Sequence, residues 1–131
     1  MKSKALKSLD AATILVNTRK TSGFNSSIHC SYYAVFQYMK YMLAKTTKQP
    51  LSYEAQDAKV GDSHENILVE TTNRIGNPQK GRAFAEMVRW LKKKRKAADY
   101  SIRDFEEVES LECKERAISI ISKLKQYFGD L

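Results

Sequence analysis

Apolar residues recur every three or four positions in five stretches of the chain, the spacing of helices that bury one face. In residues 3–20, Leu6, Leu9, Thr13 and Val16 share a face, while Lys4, Lys7 and Asn17 fall largely outside it. Gly23 then interrupts the pattern, and Asn25 or Ser26 stands ready to cap the next helix. That helix, residues 25–45, places Ile28, Tyr32, Val35, Phe36, Met39, Met42 and Leu43 on one broad face. Tyr33, Ala34, Tyr38 and Tyr41 extend the apolar surface over much of the rest. A helix apolar nearly all round needs cover on more than one side. The pattern therefore predicts a central helix that also meets a partner chain, with Tyr33, Tyr38 and Tyr41 as candidate dimer-interface residues.

The periodicity lapses over residues 46–62, where Gln49-Pro50, Ser52 and Gly61 mark a long connection. Leu51, Tyr53 and Val60 within it are candidates to fold back on the body. Ser63 is the expected cap of a short helix, residues 64–74, with Ile67, Leu68, Thr71 and Ile75 facing inward. Gly76-Asn77-Pro78 stops it. Residues 79–100 follow, with Phe84, Met87, Val88, Leu91 and Ala98 inward, then an acidic lead-in over residues 104–109. The last helix, residues 110–128, turns Ala117, Ile118, Ile121, Leu124 and Phe128 inward. No segment alternates with a period of two. The expected architecture is all-α, an up-and-down antiparallel bundle of about five helices resembling a four-helix bundle, in a single domain over residues 1–131.

Composition narrows this picture. With 131 residues there is room for one core, and 5 Gly and 2 Pro are few for a fold built on tight turns. No uncharged apolar run approaches the roughly 18 residues of a membrane-spanning helix. The basic start continues as an amphipathic pattern containing Asp10 and has no clear small-residue cleavage site, so a signal peptide is not expected. Cys30 and Cys113 share no metal-ligand spacing, and a reducing, cytoplasmic setting is expected. Glycine-rich phosphate loops, zinc-protease, dithiol and serine-hydrolase motifs are all missing. Neither a metal nor a cofactor is expected.

The net charge of +8 directs attention to Arg89-Trp-Leu-Lys-Lys-Lys-Arg-Lys96, where six of eight residues are cationic. Arg89, Lys92, Lys93 and Lys96 fall on one helix face, either as a solvated surface or as a stripe that follows nucleic-acid phosphates. Asp104, Glu106, Glu107 and Glu109 are the acids nearest in sequence to neutralise it. Arg95 lies four residues after Leu91 and seven after Val88, on or beside the apolar face. A guanidinium does not lose its proton, so it needs acceptors or a crevice there. Asp99, four residues on, is the nearest partner. Two readings stay open for Arg95: an ion pair within the helix, or an arginine in a cleft between subunits that grips a phosphate or carboxylate.

His29 and Cys30 are adjacent and point about 100° apart on a helix, so they do not make a nucleophilic pair. Ordinary packing or a polar contact is expected of His29. His64 belongs to the first turn of its helix. The tyrosines at helical spacing read as core or interface before they read as base-stacking platforms.

Two segments, Ser31-Tyr32-Tyr33-Ala34-Val35-Phe36 and Arg95-Lys96-Ala97-Ala98-Asp99-Tyr100, come in order on this helix pattern and resemble the HEPN family (higher eukaryotes and prokaryotes nucleotide-binding). His64 also matches a common position of that family. The resemblance implies an up-and-down helical bundle, usually homodimeric through its central helices. Many prokaryotic members act in toxin–antitoxin or defence systems, often beside a minimal nucleotidyltransferase as antitoxin partner. Active members are metal-independent RNA endonucleases with an R-x4-6-H motif at the dimer cleft. Others bind nucleotides, RNA or proteins without catalysis. In this chain the window after Arg95 holds Tyr100, Ser101 and Ile102, and no histidine follows His64. Tyrosine, with an ordinary pKa of about 10, is a poor base at neutral pH. The expectation is thus a nucleotide- or RNA-binding module without the standard nuclease motif, whose cleft uses Arg95, Asp99, Tyr100 and His64. The alternatives are an endonuclease with a relocated base, His64 or His29, and a protein-binding bundle.

Overall fold

The computed structural model describes residues 1–131 as six helices and no strand: α1 Lys2–Asn17, α2 Thr21–Lys45, α3 Tyr53–Ala58, α4 Ser63–Asn73, α5 Pro78–Tyr100 and α6 Glu107–Phe128. Side-chain contacts fix how they run. Lys2 Nζ donates to the carbonyl of Leu131, and Lys48 Nζ to that of Tyr127, so the start of α1 and the ends of α2 and α6 share one end of the molecule. At the opposite end Asn25 Nδ2 donates to the Ala98 carbonyl while its Oδ1 accepts from Phe105 N, tying the start of α2 to the exit of α5. The helices α1, α2, α5 and α6 thereby form an up-and-down four-helix bundle. The helix α4 lies along α2 and α5, and α3 sits on the crossover between α2 and α4.

The helix α2 packs against all five others. Tyr32, Ala34, Val35, Tyr38, Met39, Met42 and Leu43 are each at most 1% exposed. Each large apolar side chain so buried contributes about 1.5–3 kcal/mol. The chain itself therefore covers most of the apolar circumference of α2, leaving Tyr33, Phe36 and Tyr41 partly exposed. Tyr38 in particular lies wholly inside the bundle and offers no surface to a dimer, whereas Tyr33 and Tyr41 are half-buried at its edge.

Other expectations are also corrected. Gly23 does not break a helix; it is buried inside α2, where an added Cβ would lie 2.6 Å from the Leu15 carbonyl oxygen. The turn falls instead at Arg19, in the left-handed region at φ 55°. Neither Asn25 nor Ser26 caps α2, which starts after Lys20 without a side-chain cap. The inner face of α1 is Ala5, Ala12 and Val16, and Leu6 is 40% exposed. On α6 it is Ile120 that turns inward beside Ile121, leaving Ile118 exposed. Ala5 and Ala12 are small because α1 and α2 approach closely. Within the long connection Ser52 accepts from Ala55 N and starts α3, while Val60 is fully exposed. The cap of α4 is Asp62, not Ser63.

Candidate functional site

One face of α2 carries His29, Tyr32, Tyr33 and Phe36, at i, i+3, i+4 and i+7, against the start of α4 and the last turns of α5. Asp62 fixes the start of α4: its Oδ1 accepts from His64 N at 3.0 Å and from Glu65 N at 3.4 Å. This capping sets the His64 ring on Phe36, with centroids 4.2 Å apart and planes 17° from parallel. The hydroxyl of Tyr32 hydrogen bonds His64 Nδ1 at 2.8 Å.

From α5, Arg95 enters beneath this face and is only 6% exposed. Its Cζ is 5.0 Å from the Tyr32 ring centroid and 5.6 Å from that of Tyr33, within cation–π range of both. Its one polar contact is Nη1 to Asp99 Oδ2 at 3.5 Å, the outer limit for a hydrogen bond. The buried Nε has no partner. A desolvated donor left unpaired costs about 1–3 kcal/mol, so this guanidinium is under-satisfied.

Asp99 makes its closer contacts elsewhere. His29 Nδ1 stands 2.9 Å from Oδ2 and 3.1 Å from Oδ1. A carboxylate only accepts, so the ring donates from Nδ1. Its Nε2 is then the free nitrogen of a side chain that is 46% exposed. His29 also lies against Tyr33, with centroids 4.6 Å apart. Both histidines of the chain therefore belong to the Arg95 cluster, one from α2 and one from α4. The polar contact open to His29 in the sequence is this one; that it and His64 converge on Arg95 could not be read from spacing. The recurrence of His29, Tyr32, Tyr33 and Phe36 on one α2 face is the signal that marks the aromatic wall.

The electrostatics follow from burial and from α5. Burial first, then the charges of Arg95 and Lys92, hold the His64 imidazole below its ordinary pKa. Burial pushes the Tyr32 phenol up, partly offset by Arg95. Burial and then Asp99 raise the Cys30 thiol, which removes it as a ready nucleophile.

The cationic stripe is divided. Glu65 pairs with Arg89 at 2.6 Å and Asp62 with Lys92 at 3.5 Å, so the start of α4 neutralises half of it. Of the acids expected for this role only Glu109 meets the run, at Lys94 3.9 Å away, and its closer partner is Arg103 at 2.7 Å. Lys93 and Lys96 are exposed and have no ion-pair partner. Tyr100 is 78% exposed, and its hydroxyl has no hydrogen-bond partner, so the chain by itself does not join it to Arg95 and Asp99. No three His, Cys, Asp or Glu side chains are placed to share a metal ion. No helix is long and apolar enough to cross a membrane.

Comparison with curated proteins and with solved structures gives no match. A family model, described as HEPN domain, matches residues 1–127, nearly the whole chain and both segments that meet at Arg95. With its all-helical bundle and the matched residues spanning α1 to the last turn of α6, the chain belongs to the HEPN domain family.

Proposed function

We propose that this protein is a nucleotide- or RNA-binding module that takes a phosphate at the Arg95 cluster. The observation that carries the reading is the buried, under-satisfied guanidinium: a 94% buried cation with an orphan Nε and one 3.5 Å contact has capacity for acceptors the chain does not provide. Arg95, Lys92 and Lys96 all raise the positive potential felt at His64, the direction a phosphate would follow inward. His29 already engages Asp99, which lessens the repulsion that carboxylate would exert on an anion. The test is a titration of fluorescent oligouridylate and of a labelled nucleotide against the wild-type chain and Arg95→Ala. A fall in affinity of about tenfold with unchanged helix content supports the site; equal affinity removes Arg95 from it.

A second reading, RNA cleavage with a relocated base, is favoured by the placement of both histidines around Arg95. His29, oriented through Nδ1 by Asp99, leaves Nε2 free to take a proton from a ribose 2′-hydroxyl, and Arg95 would offset charge at the phosphorus. Cleavage of a quenched RNA in the presence of EDTA, abolished by His29→Ala, is its signature. An intact substrate under those conditions refutes it.

The biological setting in this reading is a homodimer in a toxin–antitoxin or defence operon, beside a nucleotidyltransferase-like antitoxin partner. The half-buried Tyr33 and Tyr41 are the seam to try. Light scattering that reports monomers for Tyr41→Asp supports that seam, and persistent dimers place it elsewhere.

A further inference from the structure

We propose that the furrow between α4 and α5 is a track for a single nucleic-acid strand, running from Arg82 to Lys96. The proposal rests on the phosphate-binding reading and extends it, from a site that holds one phosphate to a surface that holds several in register. Three hollows lie end to end. One of about 280 Å³ opens beside Gly76 and reaches Arg82; the next, of about 310 Å³, runs from Arg82 to Arg89; the third, of about 300 Å³, runs from Arg89 to Lys96. Adjoining hollows share Arg82 or Arg89 in their walls, so they follow one another along the furrow, with the Arg89–Glu65 pair crossing between the second and the third.

The cations are aligned within it. At 100° per residue, positions 82, 89, 93 and 96 fall within an arc of about 60°, over roughly 21 Å of helix rise. A stacked strand carries a phosphate about every 3.4 Å, so the line spans roughly six phosphates, and fewer of an extended strand. Arg82, Lys93 and Lys96 are exposed and have no ion-pair partner within the chain. Only Glu65 and Glu86 enter the walls, and Glu65 is already bound to Arg89. A single file of charge matches one backbone; a duplex presents two rows. The last hollow ends at Lys96, one residue from Arg95 along α5, while the Arg95 side chain itself turns inward to the Tyr32 and Tyr33 rings.

The experiment is fluorescence anisotropy at low salt with oligouridylates of one to eight nucleotides, an eight-base-pair RNA duplex and an oligoglutamate of matching charge. The full chain is compared with Arg82→Glu, Lys93→Glu and Arg95→Ala. Affinity is expected to climb with length to about six nucleotides and then level. Arg82→Glu should weaken the eight-mer about fivefold or more while leaving the mononucleotide unchanged, and Lys93→Glu should lower the salt dependence of eight-mer binding. Affinity independent of length overturns the track, as does a duplex or oligoglutamate that binds as tightly as the single strand. An Arg82→Glu chain that binds the eight-mer like wild type overturns it too. If Arg95→Ala changes nothing while length dependence persists, the phosphate site at Arg95 fails and the track stands. If the mononucleotide depends on Arg95 but no length dependence appears, the site stands and the track fails.

Discussion

Arg74 and Arg95 are arginines of nearly equal burial, with side chains 8% and 7% exposed, and they do opposite things. Arg74 spends all but one of its five donors. Its Nη1 donates to the Glu70 carbonyl at 2.7 Å and to Glu70 Oε2 at 2.6 Å. Its Nε reaches the carbonyls of Lys48 and Gln49 at 3.0 Å, and Nη2 that of Gln49 at 2.7 Å. That guanidinium staples the end of α4 to the loop after α2, and every one of its nitrogens is engaged within the chain. Arg95 has two aromatic rings, one long contact and an orphan Nε. Burial alone therefore does not distinguish a structural arginine from a binding one. The balance of donors against acceptors does, because a buried cation without acceptors destabilises the fold unless something else supplies them.

Replacing each arginine by methionine, which keeps an unbranched apolar stem, breaks the comparison most directly. Arg74→Met should cost roughly 3 kcal/mol, a fall of about 10 °C in Tm, since it takes a donor from three carbonyls and leaves Glu70 with Lys59 alone. Nucleotide affinity should be unchanged, and a stability equal to wild type would end the staple account. Arg95→Met should leave Tm the same or slightly raised, because the unsatisfied Nε disappears, while nucleotide affinity falls about tenfold. A large loss of stability with intact binding would reverse the two roles.

A pH titration sharpens the contrast further. The folded protein keeps His64 less basic than the unfolded chain, so between those two pKa values the unfolded state binds more protons. The contribution of His64 to stability is thus complete above about pH 6.5 and is lost as pH falls through its lower folded value. In Arg95→Met, the imidazole should titrate closer to its ordinary value yet stay below it, because burial remains the larger cause. An NMR titration identical in both proteins would separate His64 from Arg95. At the acid end, the hydrogen bonds of Arg74 and then Lys59 keep Glu70 below the usual carboxylate range. Its contribution is present above about pH 4.5 and fades as pH drops through the lowered folded value. The smallest effect expected is Lys59→Ala: it removes a 2.7 Å pair with Glu70 at the exposed rim and should cost under about 1 kcal/mol by denaturant unfolding. A greater loss would extend the staple to the rim.

The five long helices were legible because each must bury a stripe, and burial imposes its period on the residues. Arg95 was legible for the same reason, as a charge on an apolar face. Helix α3 escaped because six residues are too few to display a period. Gly23 misled because a glycine chosen for close approach of α1 and α2 resembles, in a linear chain, one chosen to end a helix. Alanines at positions 5 and 12 were overlooked in favour of Leu6, since tight helix contacts select small side chains over strongly apolar ones, and Ile118 was chosen where Ile120 is the buried residue. The acids that neutralise Arg89 and Lys92 precede α5 by a loop and a helix, so proximity along the chain pointed to the wrong carboxylates.

By itself the sequence determined an all-helical bundle, a charge of one sign concentrated on its fifth helix, and an arginine on that helix's apolar side. These are local or summed properties, set by neighbours within a few residues. Only the tertiary structure decided that both histidines flank that arginine, that its Nε lacks an acceptor, and that α2 is mostly clothed within one chain. Each of those depends on helices distant in sequence meeting at particular atoms, and a hydrogen bond is made or lost within an ångström that no periodicity records.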